Sequence, residues 1–225
     1  MSFPKVSVII VNYNGKTLLE KCLESLAKVN YENFEIILVD NNSTDGTVEF
    51  VTKTYPSIII IKLDSNRGFA EPNNIGAKIA SGKYLLFLNN DTIVTPNFIS
   101  EMVKVIEKDK KIAICQSLLL RLDGSIDSSG DFIDQLGVVY NSTTKINEIR
   151  EISSARGASM LIRKNVFEEL DGFDEKFFMC FEDYDFCLRV KNKGYRIVYY
   201  PSARVTHHND YSENHNSKIF YFYDY

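Results

Sequence analysis

Residues Tyr84 to Thr92, Tyr-Leu-Leu-Phe-Leu-Asn-Asn-Asp-Thr, constrain the fold more than any other stretch of this chain. Five consecutive apolar positions without alternation predict a strand buried on both faces, which demands a covering layer above and below it. The run stops in three polar residues ending in a carboxylate, at the kind of strand end where open α/β sheets bind their ligands. In extended chain Asn89 and Asp91 lie two residues apart and point the same way, offering oxygen ligands to one cation or one diphosphate while Asn90 faces elsewhere. The competing reading of these residues is an ordinary Asn/Asp turn.

The same punctuation recurs before this strand. Val6 to Val11 predicts a strand, Asn12 to Gly15 a loop, and Leu18, Leu19, Cys22, Leu23 and Leu26 a helix by their spacing. Phe34 to Val39 repeats the pattern, with a polar loop from Asp40 to Gly46 and a helix from near Thr47. A third strand, Ile58 to Lys62, leads through Asn66-Arg67-Gly68-Phe69-Ala70 to a helix from about Pro72 to Ser81, with Gly82 as the expected C-cap. After Asp91, Pro96 opens a helix carrying Phe98, Met102, Val105 and Ile106, and Ile112 to Cys115 is the next strand. Strands alternating with helices predict a mostly parallel central sheet flanked by helices, an α/β fold of Rossmann type.

Between Leu118 and Ile152 the alternation dissolves into short apolar pieces punctuated by Gly124, Gly130 and Gly137, which predicts a loop-rich insert with hairpins. Ala158 to Ile162 resumes as a strand feeding a short helix from Lys164 to Leu170. Phe177 to Phe181 is aromatic and is expected to pack inside. Glu182 to Lys193 predicts a helix with acids in its first turn and Gly194 past its end, and Tyr195 to Tyr200 the last clear strand, with His207 and His208 beyond it. The aromatic tail Phe220 to Tyr225 has no stop signal, so a truncated or partner-covered terminus is expected.

The bulk numbers exclude some functions. A net charge of −4, with no basic cluster, argues against nucleic-acid binding. Cys22, Cys115, Cys180 and Cys187 form no C-x-x-C pair and read as reduced core residues, which together with an N-terminus lacking an apolar signal region points to a cytoplasmic protein. No apolar run approaches the ~20 residues of a membrane helix, although a peripheral membrane contact stays open.

Parallel strands bring Asn12 to Gly15, Asp40 and Asn89 to Asp91 to one sheet edge, where a nucleotide fits. Asp40 is suited to accept hydrogen bonds from a base or ribose, and equally to cap the turn that follows it. Neither G-x-G-x-x-G nor G-x-x-x-x-G-K is present, which removes support for hydride transfer and NTP hydrolysis. Asp91 with a histidine makes a mixed oxygen and nitrogen site for Mn²⁺ or Mg²⁺, with His207 and His208 as candidates and surface imidazoles as the alternative. Glu182, Asp183 and Asp185 serve either the helix dipole or general-base chemistry, and the helix N-terminus is expected to lower the pKa of the base.

These stretches together resemble the family 2 glycosyltransferases of the GT-A fold, rhamnosyltransferase-like branch. The matching residues are Val6-Ser-Val-Ile-Ile-Val-Asn-Tyr-Asn-Gly15, Val39-Asp-Asn-Asn-Ser-Thr-Asp-Gly46, Asn66-Arg-Gly-Phe-Ala70 with Asn74 and Gly76, Leu88-Asn-Asn-Asp-Thr92, Arg156-Gly-Ala158, Gly172-Phe-Asp174, Phe181-Glu-Asp-Tyr-Asp-Phe-Cys-Leu-Arg189 and His207. The resemblance implies a nucleotide-diphosphate-sugar donor (dTDP-, UDP- or GDP-sugar) and a glycan or lipid-linked acceptor hydroxyl, in surface polysaccharide synthesis. Residues 1–117 then form the nucleotide-sugar-binding half and 118–225 the acceptor-binding and catalytic half of one GT-A domain. It implies Asn12, Asn14, Asp40, Asn66, Gly68, Asn89 and Asp91 around the donor, with Asn89 and Asp91 at the family's D-x-D positions, Asn standing for the first Asp. Asp91 and His207 become metal ligands, with His208 as the fallback, Asp183 the inverting general base and Glu182 its neighbour. Arg67 and Arg156 are candidates to touch phosphate, and the acceptor wall is expected from Leu118 to Ile152 and the tail. A sugar nucleotidyltransferase competes poorly, because the loop after the first strand lacks a Gly-rich, Arg/Lys-bearing pattern. A non-catalytic binder is disfavoured by the intact Asp91, Asp183 and His207.

Overall fold

The computed structural model describes residues 3–133 and 139–208. The first half runs as β1 (Val6–Asn12), α1 (Lys16–Leu26), β2 (Phe34–Asp40), α2 (Thr47–Thr54), β3 (Ile59–Lys62), α3 (Ala70–Ile79) and β4 (Tyr84–Leu88). Then follow β5 (Thr92–Val94), α4 (Phe98–Lys108), β6 (Ile112–Leu120), and an insert holding β7 (Ile126–Ser128), β8 (Asp131–Ile133), β9 (Val139–Asn141) and β10 (Arg150–Glu151). The chain closes with β11 (Ser159–Arg163), α5 (Lys164–Glu169), α6 (Glu182–Asn192) and β12 (Arg196–His207).

The main sheet has the order β10-β12-β6-β11-β4-β1-β2-β3. β3, β2, β1 and β4 run parallel, as does β12 beside β6, while β11 opposes both its neighbours, β4 and β6. The parallel core expected of the central sheet is therefore present, but β11 is reversed inside it and β10, β5 and β7 pair antiparallel at its margins, so the sheet as a whole is mixed. The alternation of side chains along β1 builds both cores: Val6, Val8 and Ile10 meet α1 and α4, whereas Ile9 meets α3. Tyr84 to Leu88 is buried at every position, as its sequence requires.

On the α3 face, Phe87 of the central strand lies 5.1 Å from Phe167 and 4.9 Å from Phe173, ring centre to ring centre, and Phe186 of α6 lies 5.1 and 5.4 Å from the same two rings. Offset and edge contacts of this kind add to simple burial. They fix α6 to β4, so the acids that open α6 and the polar residues that end β4 share one rigid frame.

Four expectations need correction. Gly82 does not cap α3, which ends at Ile79 with Ala80 turning to φ −60°, ψ 132°. Its lack of a side chain instead admits close approach to β1, since a Cβ there would stand 2.6 Å from the Ser7 nitrogen. The aromatic stretch before α6 does not pack inside: Phe178, Met179 and Phe181 are exposed, and Cys180 is the one exposed cysteine, the other three being buried. The last strand does not stop at Tyr200, because β12 resumes pairing with β6 at Arg204 after an irregularity and carries His207 at its end. The tail Phe220 to Tyr225 lies outside the described residues.

Candidate active site

A cleft of about 640 Å³ opens where β1 and β4 end and α6 begins. Asn66, Gly68, Asn89, Asp91, Glu182, Asp183 and His207 all line it, together with Tyr13, Asn41, Phe69, Asn90, Arg156, Met179, Phe181 and Tyr184. None of the residues of the insert lines it among those described. Residues 134–138 of the insert and the tail, both part of the expected acceptor wall, lie outside the described residues.

One end of the cleft gathers oxygen and nitrogen ligands. β5 pairs antiparallel with β12, matching Thr92 to His207, and so brings the histidine beside the residues that follow β4. His207 Nε2 lies 3.3 Å from Asp91 Oδ1 and 3.4 Å from Asn89 Nδ2, so the two residues converge as expected although they sit in a turn. Asn90, which also lines the cleft, donates to Asn12 Oδ1 at 2.6 Å. On its far side His207 Nδ1 meets Asp127 Oδ2 at 3.2 Å. Burial works to lower the imidazole pKa, but Asp127 and Asp91 outweigh it and push it up to about 9. His208 is outside the lining, and its backbone N–H donates to the Asp91 carbonyl.

Asn89 Oδ1 is buried and has no hydrogen-bond partner among the described residues, an arrangement that costs free energy unless something else approaches it. With Asp91 and His207 it makes a hard oxygen and imidazole set that fits Mn²⁺ or Mg²⁺. No group of three or more His, Cys, Asp or Glu that could hold a metal is present among the described residues. A cation here would take its other ligands from water or substrate phosphate, as Mg²⁺ commonly does.

The other end is the N-terminus of α6. Asp183 accepts the Gly157 N–H on Oδ2 at 2.9 Å and the Tyr184 N–H on Oδ1 at 2.8 Å. Glu182 is buried, with Oε2 unpartnered among the described residues. Burial raises the pKa of both acids, with the Asp183 charge adding to the rise at Glu182 and the Asp131 charge to that at Asp183, so the expected lowering by the helix terminus is overridden. Two N–H donors favour charge on Asp183, which leaves the proton on Glu182. Asp185 is committed elsewhere, to Arg189 at 2.7 Å.

The remaining candidates hold the walls. Asn12 donates to Ser43 and Thr47, Asn14 Oδ1 accepts the Thr44 N–H at 2.8 Å, and Asp40 Oδ2 accepts the Ser43 N–H at 3.0 Å. None of the three lines the cleft, although Asp40 Oδ1 is buried without a partner among the described residues. Asn66 Oδ1 accepts the Gly68 N–H, and Asn41 clamps the same loop by donating to the Gly68 carbonyl at 2.7 Å. At Gly68, φ is +79° and a Cβ would stand 2.0 Å from the Phe178 carbonyl oxygen, which the Phe69 N–H engages at 2.6 Å. Only glycine lets these two cleft loops touch. Arg67 pairs with Asp64 and Glu71, and Arg156 with Asp131 at 3.2 Å, so both guanidinium groups already face carboxylates.

Sequence reasoning missed Asp127 and Asp131. Both are buried acids of the insert; Asp131 Oδ2 accepts the Tyr184 hydroxyl and the Arg156 Nε–H, next to the residues that hold Asp183. The available signal was two acids four residues apart beside Gly130 in a stretch read as loop.

Comparison with known proteins identifies the family and the fold. The model of glycosyl transferase family 2 matches residues 7–171, and the chain belongs to that family. The chain is 32% identical over 221 residues to the O-antigen biosynthesis protein RfbC of Myxococcus xanthus, an alignment covering 91% of this chain and 17% of that protein. It is 27% identical over 234 residues to the N-acetylglucosaminyl-diphospho-decaprenol L-rhamnosyltransferase of Mycobacterium tuberculosis, covering 91% and 76% respectively. Among solved structures, GalNAc-T7 with UDP, GalNAc and Mn²⁺ superposes with a TM-score of 0.76 at 20% identity, covering 91% of this chain and 44% of that one. The mannosyltransferase PcManGT of Pyrobaculum calidifontis, with GDP-Man and Mn²⁺, gives 0.69 at 18% identity, covering 90% and 56%. The fold is that of the GT-A glycosyltransferases, as the sequence resemblance implied. No helix among the described residues is long and apolar enough to cross a membrane.

Proposed function

We propose that this chain transfers a sugar from a nucleoside-diphosphate-sugar to a hydroxyl of a glycan or lipid-linked acceptor, inverting the anomeric centre, in polysaccharide synthesis. The observation that carries the reading is the placement in one cleft of Asn89, Asp91 and His207 at one end and Asp183 with Glu182 at the other. An acceptor hydroxyl is a poor nucleophile and a diphosphate a poor leaving group, so the two ends answer two separate needs.

Asp183, held charged by the Gly157 and Tyr184 N–H groups, accepts the proton of the acceptor hydroxyl as the oxygen attacks the anomeric carbon. Glu182 keeps its proton and so adds no second charge beside the base. Asn66 and the backbone around Gly68 line the donor side, while Asp40 with its unpartnered oxygen is assigned to the nucleoside. Both arginines near the cleft face carboxylates, so the negative diphosphate needs another counter-charge. A divalent cation held by Asp91, His207 and Asn89, Mn²⁺ or Mg²⁺, supplies that charge when bound, and Mn²⁺ in both structural neighbours supports it. One displacement assisted by one base inverts the centre, by the stereochemical logic of inverting glycosidases. In this reading residues 1–117 carry the donor half and 118–225 the base and the acceptor side.

Asp91→Ala tests the cation end directly. Nucleoside diphosphate binding should lose its dependence on Mn²⁺ or Mg²⁺, and unchanged metal-dependent affinity would remove Asp91 from the site.

A further inference from the structure

We propose that Asp127 is a positioning residue for the cation end: it holds the His207 ring so that Nε2 faces Asp91 and Asn89, and thereby sets the affinity for a divalent cation. The inference rests on the cation site proposed above. Asp127 is the middle residue of β7, which pairs antiparallel with β6, and its side chain is only 3% exposed. Its carbonyl is fixed by the Asn141 amide at 2.7 Å. Its Oδ2 lies 3.2 Å from His207 Nδ1 and 3.9 Å from Arg156, and its Oδ1 lies 3.5 Å from Arg121. Two guanidinium groups therefore offset a buried charge that would otherwise be costly to keep.

The imidazole ring is rigid, with its two nitrogens facing different ways. A ring that donates Nδ1–H to a carboxylate presents the Nε2 lone pair on the other side, and histidines that bind metals are usually oriented in this manner. Here Nε2 already lies against Asp91 and Asn89. Asp127 does not line the cleft, so it does not touch a bound cation and its hold on the site is the orientation of His207.

The test is Mn²⁺ binding to the full chain without nucleotide, followed by the spin-resonance signal of the free aquo ion. Asp127→Leu keeps a side chain of moderate volume but removes the acceptor, and Asp127→Asn keeps an oxygen that can still accept from Nδ1–H. Affinity, corrected in each variant for the protonated fraction of His207, should fall roughly 10- to 100-fold in the Leu variant, the range found for such partners, and recover most of that loss in the Asn variant. Thermal unfolding of the cation-free variants supplies the fold reference, and Asp127→Ala replaces the Leu variant if that one does not fold. Unchanged affinity in Asp127→Leu with affinity lost in His207→Ala would overturn the inference and leave the cation site standing. Equal losses in the Leu and Asn variants would overturn it too, because charge and not orientation would then be responsible. Unchanged affinity in His207→Ala would overturn the site and the inference together.

Discussion

Cation binding should release a proton, and the size of the effect follows from the surroundings of His207. In the cation-free protein the ring lies between Asp127 and Asp91, which raise its pKa from 6.5 to about 9. A cation needs the Nε2 lone pair, so below pH 9 it competes with a bound proton. Each pH unit costs about 1.36 kcal/mol, so binding at pH 7 is about 2.7 kcal/mol, or roughly 100-fold, weaker than its high-pH limit. The apparent association constant for Mg²⁺ should therefore climb about 10-fold per unit from pH 7 to 9 and then level. Calorimetry in two buffers of different ionisation enthalpy should count close to one proton released per cation at pH 7.5, and the slope should vanish in His207→Gln. A flat affinity between pH 7 and 9 with no proton release would refute the placement of His207 between the two carboxylates and at the cation.

Other perturbations probe the remaining parts of the frame. Asp183→Asn should leave donor binding unchanged and reduce turnover roughly 10²- to 10⁴-fold, as loss of a general base does; near-normal turnover would move the base to Glu182. Glu182 holds a proton in the folded state that the unfolded chain releases near pH 4.5, so wild-type stability should fall as pH rises above that value. Glu182→Gln removes this loss, and its melting temperature should exceed that of wild type by a margin that widens toward alkaline pH; a constant margin would contradict the raised pKa. Phe173→Ala opens the aromatic cluster between β4 and α6 and should cost about 3–5 kcal/mol in urea unfolding. Gly68→Ala drives a Cβ into the Phe178 carbonyl and should weaken nucleotide binding more than it lowers the melting temperature.

The strands and helices of the first half were legible because each apolar run carries its own period and each loop its own turn residues. The convergence of Asn89 and Asp91 was expected from a spacing of two in extended chain, but β4 ends at Leu88 and a turn brings the two together, so the outcome was legible and its cause was not. The direction of β11 was not, since nothing local in Ser159–Arg163 distinguishes a parallel from an antiparallel strand; the route of the insert decides it. The aromatic residues from Phe177 to Phe181 carry a core composition, but Cys180 and Phe181 both adopt φ of 71°, and the segment projects at the cleft instead of packing. Pro201 interrupts the apolar pattern of β12 and hid the strand that delivers His207. Asp127 and Asp131 owe their positions to long-range pairing with β6 and with Ser154, which no local signal records.

The central claim is that one cleft binds a nucleoside diphosphate through a divalent cation. Calorimetric titration of UDP, dTDP, GDP and CMP, each with Mn²⁺, with Mg²⁺ and with chelator, tests it most directly. The account predicts binding of at least one nucleoside diphosphate that disappears when the cation is chelated. Binding of none of them, or binding indifferent to the cation, would contradict it.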